Sequence, residues 1–285
     1  MRKLIKWIFL MTLLLITTVV TVACSNSSNQ SQVTTKEGAR MVPTLFFHGY
    51  GSSTNAENQM ANAAVKAGAS KTIIKAIVDK DGKVTLKGVI PASEKHPIVE
   101  VGYENNRNPN YHQDGQWAKN VIVKLQKVYH IKKFNMVGHS MGNMAIIYYM
   151  LDNHNDHNLP KLQKQVDIAG HYNGILGMND KPNQMQLDAN GKPTKMDQDY
   201  RQLTALRKTK AYQSVKVLNI YGNKNDGTNS DGRVSNASSK SLKYLIGNQV
   251  TSYREKKIIG KNAQHSKLHE NKQVDQLLIH FIWNR

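Results

Sequence analysis

A single cysteine, Cys24, in 285 residues excludes an intrachain disulfide and any zinc or iron–sulfur site built on several cysteines. Acidic residues are also scarce, with Asp plus Glu at 20 against 39 Lys plus Arg, for a formal charge of +19. Charged residues make up only 21% and hydrophobic residues 39%, which excludes a wholly disordered chain or a coiled coil and leaves material for a packed core. No internal repeat is visible. The positive charge comes with no aromatic-interleaved basic groove and no nucleic-acid motif, so a nucleic-acid partner is not expected. The lysines read as scattered, in groups such as Lys71–Lys87, Lys124–Lys133 and Lys256–Lys261. At 285 residues the chain suits one large domain, a common length for α/β folds.

The chain opens with Arg2, Lys3 and Lys6, then an apolar run from Trp7 to Ala23 interrupted only by threonines. A basic start, a short apolar core and small residues before Cys24 describe a secretory signal peptide over 1–23. The lone cysteine at that junction resembles a bacterial lipobox, in which the thiol is acylated, although Thr21 stands where leucine is usual. Removing 23 residues would leave 262 and take away three positive charges, so +19 becomes +16. The polar stretch Ser25–Gln32 suits a flexible tether over 24–40, ahead of a domain spanning 41–285. These expectations place the domain outside the cytoplasmic membrane and lipid-anchored to it. The polyanions available there are phospholipid headgroups and wall polymers.

Apolar runs and helical patterns then alternate. Strands are expected at Met41–Phe47, Ile98–Tyr103, Phe134–Val137, Val166–Ala169, Val215–Tyr221 and Val250–Ile259. Helices are expected at Ala56–Ala67, Gln116–Tyr129, Met141–Leu151, Ser238–Ile246 and Val274–Trp283. Asp81-Gly82 marks a hairpin between Thr72–Val78 and Val84–Val89. The alternation argues for an α/β fold with a mostly parallel central sheet flanked by helices. A polar stretch, 171–210, interrupts it as an insertion that would form a lid or a wall of a site.

Gly138-His139-Ser140-Met141-Gly142 fits G-x-S-x-G between an expected strand and an expected helix. A serine on such a sharp turn is presented above the sheet, and glycines on either side let neighbouring backbone approach. The Met141 amide, at the start of the helix, would face a developing oxyanion. Phe46-Phe47-His48-Gly49-Tyr50-Gly51 ends the first core strand, and the Tyr50 amide would be the second donor. His48, His139 and His171 lie where they could line a substrate pocket. The Asp/Asn/Gly-rich loop 222–234 fails as an EF-hand, because neither start that puts a glycine sixth puts a glutamate twelfth.

With these motifs the chain from Met41 to Arg285 resembles the α/β-hydrolase superfamily in its lipase and esterase branch. The elbow Gly138–Asn143, Ser230-Asp231-Gly232-Arg233-Val234 and the segment His265–Asn271 make it more narrowly similar to cell-surface α/β hydrolases of low-GC Gram-positive bacteria. The resemblance implies a Ser-His-Asp hydrolase with Ser140 as nucleophile, no metal and no cofactor, acting on a small-molecule or lipid ester. It also implies the order serine, acid, histidine. Asp231 is preferred as acid because it precedes Val234 by three positions, with Asp226, nearer the strand end, as alternative. His265 is preferred as base because Leu268 follows it closely, with His269 as alternative. The same triad could serve acyl transfer or peptide hydrolysis, and the same fold a noncatalytic surface binding protein.

Overall fold

The computed structural model describes residues 33–285. The expected signal peptide and Cys24 therefore lie outside the described residues. Strands are β1 (Thr44–Phe47), β2 (Ile73–Val78), β3 (Val84–Lys87), β4 (Ile98–Tyr103), β5 (Lys133–His139), β6 (Lys161–Ile168), β7 (Lys216–Asn223) and β8 (Ser252–Ile259). Helices are α1 (Thr35–Gly38), α2 (Asn58–Lys66), α3 (Tyr111–Tyr129), α4 (Met141–Asp152), α5 (Gln198–Leu203), α6 (Asn236–Lys240), α7 (Leu242–Ile246) and α8 (Lys272–Trp283). The strands form one sheet in the order β3-β2-β4-β1-β5-β6-β7-β8. Only the β2–β3 hairpin is antiparallel.

Parallel pairing buries the central strands on both faces, and all four residues of β1, Thr-Leu-Phe-Phe, are buried. Leu45, Phe47, Phe134 and Met136 join the core that includes α3 and α4 residues, while Phe46, Val137, Val166 and Leu218 join the core that includes α2 and α8 residues. The same alignment gathers the carboxyl ends of seven strands on one edge, where the loops carrying the sequence motifs meet.

Three boundaries differ from expectation for identifiable reasons. Residues 33–40 are not an extended tether. Thr34 caps α1 through a capping box with Glu37, Val33 is buried, and Gly38 lies against the Tyr129 carbonyl and His130. Helix α3 starts at Tyr111 rather than Gln116, with the Asn110 side chain accepting from the Gln113 amide. Its Gly115 is no boundary, since a Cβ there would stand 2.7 Å from the Tyr149 nitrogen, so it allows α3 and α4 to cross closely. The single helix expected over Ser238–Ile246 is two, α6 and α7, meeting at Ser241, whose carbonyl accepts from the Tyr200 hydroxyl at 2.8 Å.

The insertion between β6 and β7 is pinned rather than free. Asp167 on β6 accepts from the Tyr172 hydroxyl at 2.7 Å and from Gln165 at 2.8 Å, and Gln165 accepts from the Tyr212 hydroxyl at 3.1 Å. Both ends of the insertion are thus fastened to one strand, and desolvation raises the Asp167 carboxyl to about 7. Asn183 meets Gly227 and Asn229 at 2.9 Å, and Ser235 donates to Asp180 at 2.6 Å. These contacts make the insertion a wall standing against the 224–235 loop.

Burial also leaves acids on the other side of the sheet. Glu57 and Glu100 are each 1% exposed. Burial first, then Glu100, raises Glu57 from 4.5 to about 8; burial raises Glu100 to about 7, opposed by Lys75. A carboxyl with a raised folded-state pKa stabilises fully below its unfolded value and loses that contribution as pH climbs through the folded value. The contribution of this pair to stability should therefore fall between pH 4.5 and 8, by on the order of a few kcal/mol. Glu57→Gln should flatten this decline, as read from urea unfolding at pH 5 and pH 9.

Candidate active site

Strand β5 leads directly into Ser140, whose backbone sits at φ 53°, ψ −118°, a region a serine rarely adopts. The turn is held by named bonds. The Ser140 amide donates to the Ile168 carbonyl at 2.9 Å, tying the elbow to the end of β6. The Asn143 side chain donates to the same carbonyl at 2.9 Å and to the Ser140 carbonyl at 3.1 Å. Asn143, the last residue of the elbow segment, builds the site in a way the motif alone does not reveal. Its signal is its position three residues into the helix after the serine, where a side-chain amide can fold back onto the turn. Gly142 supplies the remaining space, because a Cβ on it would overlap the Phe47 carbonyl. Gly142→Ala should cost about 3 kcal/mol or more, checked by thermal unfolding of the purified variant.

The preferred partners converge on Ser140. His265 Nε2 lies 2.8 Å from Ser140 Oγ, and His265 Nδ1 lies 2.8 Å from Asp231 Oδ2. Asp231 is 1% exposed, and its other oxygen accepts from the Arg233 and Val234 amides at 2.8 and 2.7 Å. The acid–x–x–valine spacing thus has a mechanical meaning, since the chain turns back so that the valine amide clamps the carboxylate. The His265 amide donates to the Asp231 carbonyl at 3.0 Å, so the two loops register through backbone as well.

The alternatives lie elsewhere. Asp226 is exposed, paired with Lys224 at 2.8 Å and accepting from Thr228, and these contacts hold its carboxyl below the usual range. The His269 ring sits 4.7 Å from that of His139, with neither Ser140 nor Asp231 in bonding reach.

Two expected pocket residues are not placed to meet substrate. His48 is 4% exposed, and both ring nitrogens are committed to backbone, Nδ1 to the Gly49 carbonyl at 2.8 Å and Nε2 to the Tyr103 amide at 3.4 Å. It fastens the glycine loop to β4. His139 Nε2 donates to the His265 carbonyl at 3.0 Å, and its ring lies between those of His265 and His269. Burial, then its two imidazole neighbours, holds His139 well below its ordinary value, so it stays neutral and acts as a prop for His265. His171 is buried too, beside Tyr111. It is 5% exposed with one ring nitrogen 3.3 Å from the Tyr111 hydroxyl and the other unpaired. Desolvation, and then His265, pulls it to about 3, so it too is neutral.

The glycine loop passes beside the serine. A Cβ on Gly49 would stand 3.2 Å from Ser140 Cβ. Among the described residues, neither the Tyr50 nor the Met141 amide donates to a protein acceptor, so both are free to bind an oxyanion. Hydroxyl, imidazole and carboxylate in line, with two free amides nearby, can move a proton off an oxygen nucleophile and hold a tetrahedral oxyanion.

Fold and site together define an α/β hydrolase. The chain belongs to the family described as alpha/beta hydrolase of unknown function (DUF915), whose pattern matches residues 31–285. Among solved structures, it is similar to a gene product of Listeria innocua, at 24% identity and a TM-score of 0.76, over 85% of this chain and 94% of that one. It is also similar to a protein from Lactobacillus plantarum described as a candidate cell surface hydrolase, at 25% identity and a TM-score of 0.69, over 86% and 93%. Among curated proteins nothing matches.

Proposed function

We propose that the protein is a serine hydrolase of carboxylic esters, held on the outer face of the cytoplasmic membrane by a lipid on Cys24. The observation that carries the chemistry is the pair of 2.8 Å contacts joining Ser140, His265 and Asp231. Asp231 accepts a hydrogen bond from Nδ1–H, which leaves the Nε2 lone pair facing Ser140 Oγ. Ser140 attacks the ester carbonyl, and its proton passes to His265 Nε2. The Tyr50 and Met141 amides bind the oxyanion, and Asp231 stabilises the imidazolium. His265 then protonates the departing alkoxide, leaving an acyl-Ser140. Water attacks it by the same path in reverse, with His265 taking the proton. His139, neutral and bonded to the His265 backbone, holds the base in place.

The location is supported by the leader, by the lipobox-like cysteine and by the cell-surface description of the Lactobacillus plantarum relative. A fluorophosphonate probe should label the wild-type protein at Ser140 and leave Ser140→Ala unlabelled, with short p-nitrophenyl esters hydrolysed only by the former. Folded wild type that neither labels nor hydrolyses would sink the reading. Growth with labelled palmitate should mark the wild type and not Cys24→Ser.

A further inference from the structure

We infer that the strand-start edge of the sheet is a docking face for an anionic phospholipid bilayer, which turns Ser140 away from the membrane that anchors the chain. The inference rests on the membrane-attached reading above, and not on the chemistry of Ser140.

The lysines that read as scattered in sequence are gathered by the parallel topology. Take the seven co-directional strands, and for each its first residue and the three before it. These positions hold Lys71, Lys95, Lys132, Lys133, Lys161 and Lys216, and not one carboxylate. All six lysines are exposed, and none is ion-paired among the described residues. The three positions after each strand end are mixed, with Asp79, Asp81, Glu104 and Asp226 against Lys80, Lys224 and Lys261. The charge asymmetry therefore runs along the strands.

A cavity of about 840 Å³ opens on the cationic edge, lined by Lys71, Lys95, Lys164 and Arg285, with Glu94 the one acidic side chain on its wall. Lys164 donates to the Phe281 and Ile282 carbonyls at 2.9 and 2.8 Å, which fixes one cation at the end of α8. The lysines stretch from β2 to β7, about 24 Å at the usual strand spacing. A broad row of lysines without ion-pair partners among the described residues fits a planar array of phosphate headgroups better than it fits one small anion.

The path of the chain agrees. Residues 33–43 run into the start of β1, and α1 packs on Tyr129 and His130, which lie four and three residues before the first residue of β5. The chain thus joins the domain at the lysine edge. Cys24 is nine residues before Val33 in sequence, about 30 Å of chain even if fully extended. An acylated Cys24 would keep this edge within reach of the headgroups, while Ser140 stands at the far end of β5, about 23 Å away. The substrate is then an ester presented from the outer side, in solution or in the wall, rather than a lipid drawn from the anchoring bilayer.

The test uses the full chain bound to vesicles of phosphatidylglycerol and phosphatidylcholine in equal parts, or of phosphatidylcholine alone, with lysine acetylation read by mass spectrometry. Lys132, Lys133, Lys161 and Lys216 should react several-fold more slowly on the anionic vesicles only, and recover in about 1 M salt. Lys80 and Lys261, at the opposite edge, should react alike on both. Protein that floats with both kinds of vesicle but shows equal rates at the two edges overturns the docking face and leaves membrane attachment standing. Protection at Lys80 and Lys261 instead overturns it as well. So does protection by soluble polyphosphate that anionic vesicles fail to give. Protein that floats with neither vesicle overturns both docking and attachment.

Discussion

On a short p-nitrophenyl ester, Ser140→Ala and His265→Ala should each lower kcat by about 10⁴- to 10⁶-fold, and the double variant should lose little more. The reason lies in how the two groups share one proton. Ser140 is a poor nucleophile until Nε2, 2.8 Å away, accepts its hydrogen, and His265 has no role on this path without a serine to serve. Removing either dismantles the same device, so the losses do not add. A residual rate above water should survive in both, supplied by the Tyr50 and Met141 amides and by substrate binding. Steady-state kinetics on the three variants, with folding checked by thermal unfolding, decides the matter. Losses that multiplied in the double variant would mean that the two residues act separately, contrary to the mechanism proposed.

The sequence made the centre of this site legible because its chemistry is local. The turn that strains Ser140 needs glycines at 138 and 142, and those are countable without a structure. The position of Asp231 beside His265 was readable for a related reason, since Val234 closes a tight turn onto Asp231 and the spacing is fixed by that bond. The histidines were harder. His48, His139 and His171 are alike in sequence, each near the carboxyl end of a strand. Only the backbone partners of the first, the carbonyl contact of the second and the buried, unpaired nitrogen of the third separate them. Element boundaries failed where tertiary contacts override local pattern. The helix expected from Gln116 begins at Tyr111 and runs through Gly115, which permits a close helix crossing, and Ser241 reads as mid-helix but gives its carbonyl to Tyr200. The lysine edge was invisible for a different reason, because residues as far apart as Lys71 and Lys216 become neighbours only through strand order.

Asp231→Asn should lower kcat about 10⁴-fold with little change in KM, while Asp226→Asn should stay within about threefold of wild type. The first effect follows from which atoms are already spoken for. Asp231 Oδ1 accepts two backbone amides, from Arg233 and Val234, and only an oxygen can do so. An asparagine must therefore keep its carbonyl oxygen there and turn its NH₂ toward His265 Nδ1. That nitrogen then has to accept, the ring proton moves to Nε2, and the nitrogen facing Ser140 can no longer take a proton. The defect is a wrong tautomer in an intact geometry, so folding and probe-free binding should survive while turnover collapses. Raising the pH should recover part of the activity if hydroxide can strip the Nε2 proton. Asp226 offers no such coupling, since its partners are Lys224 and Thr228 on an exposed loop. Equal losses from the two substitutions, or a larger one from Asp226→Asn, would transfer the acid's role and break the link between the valine spacing and function.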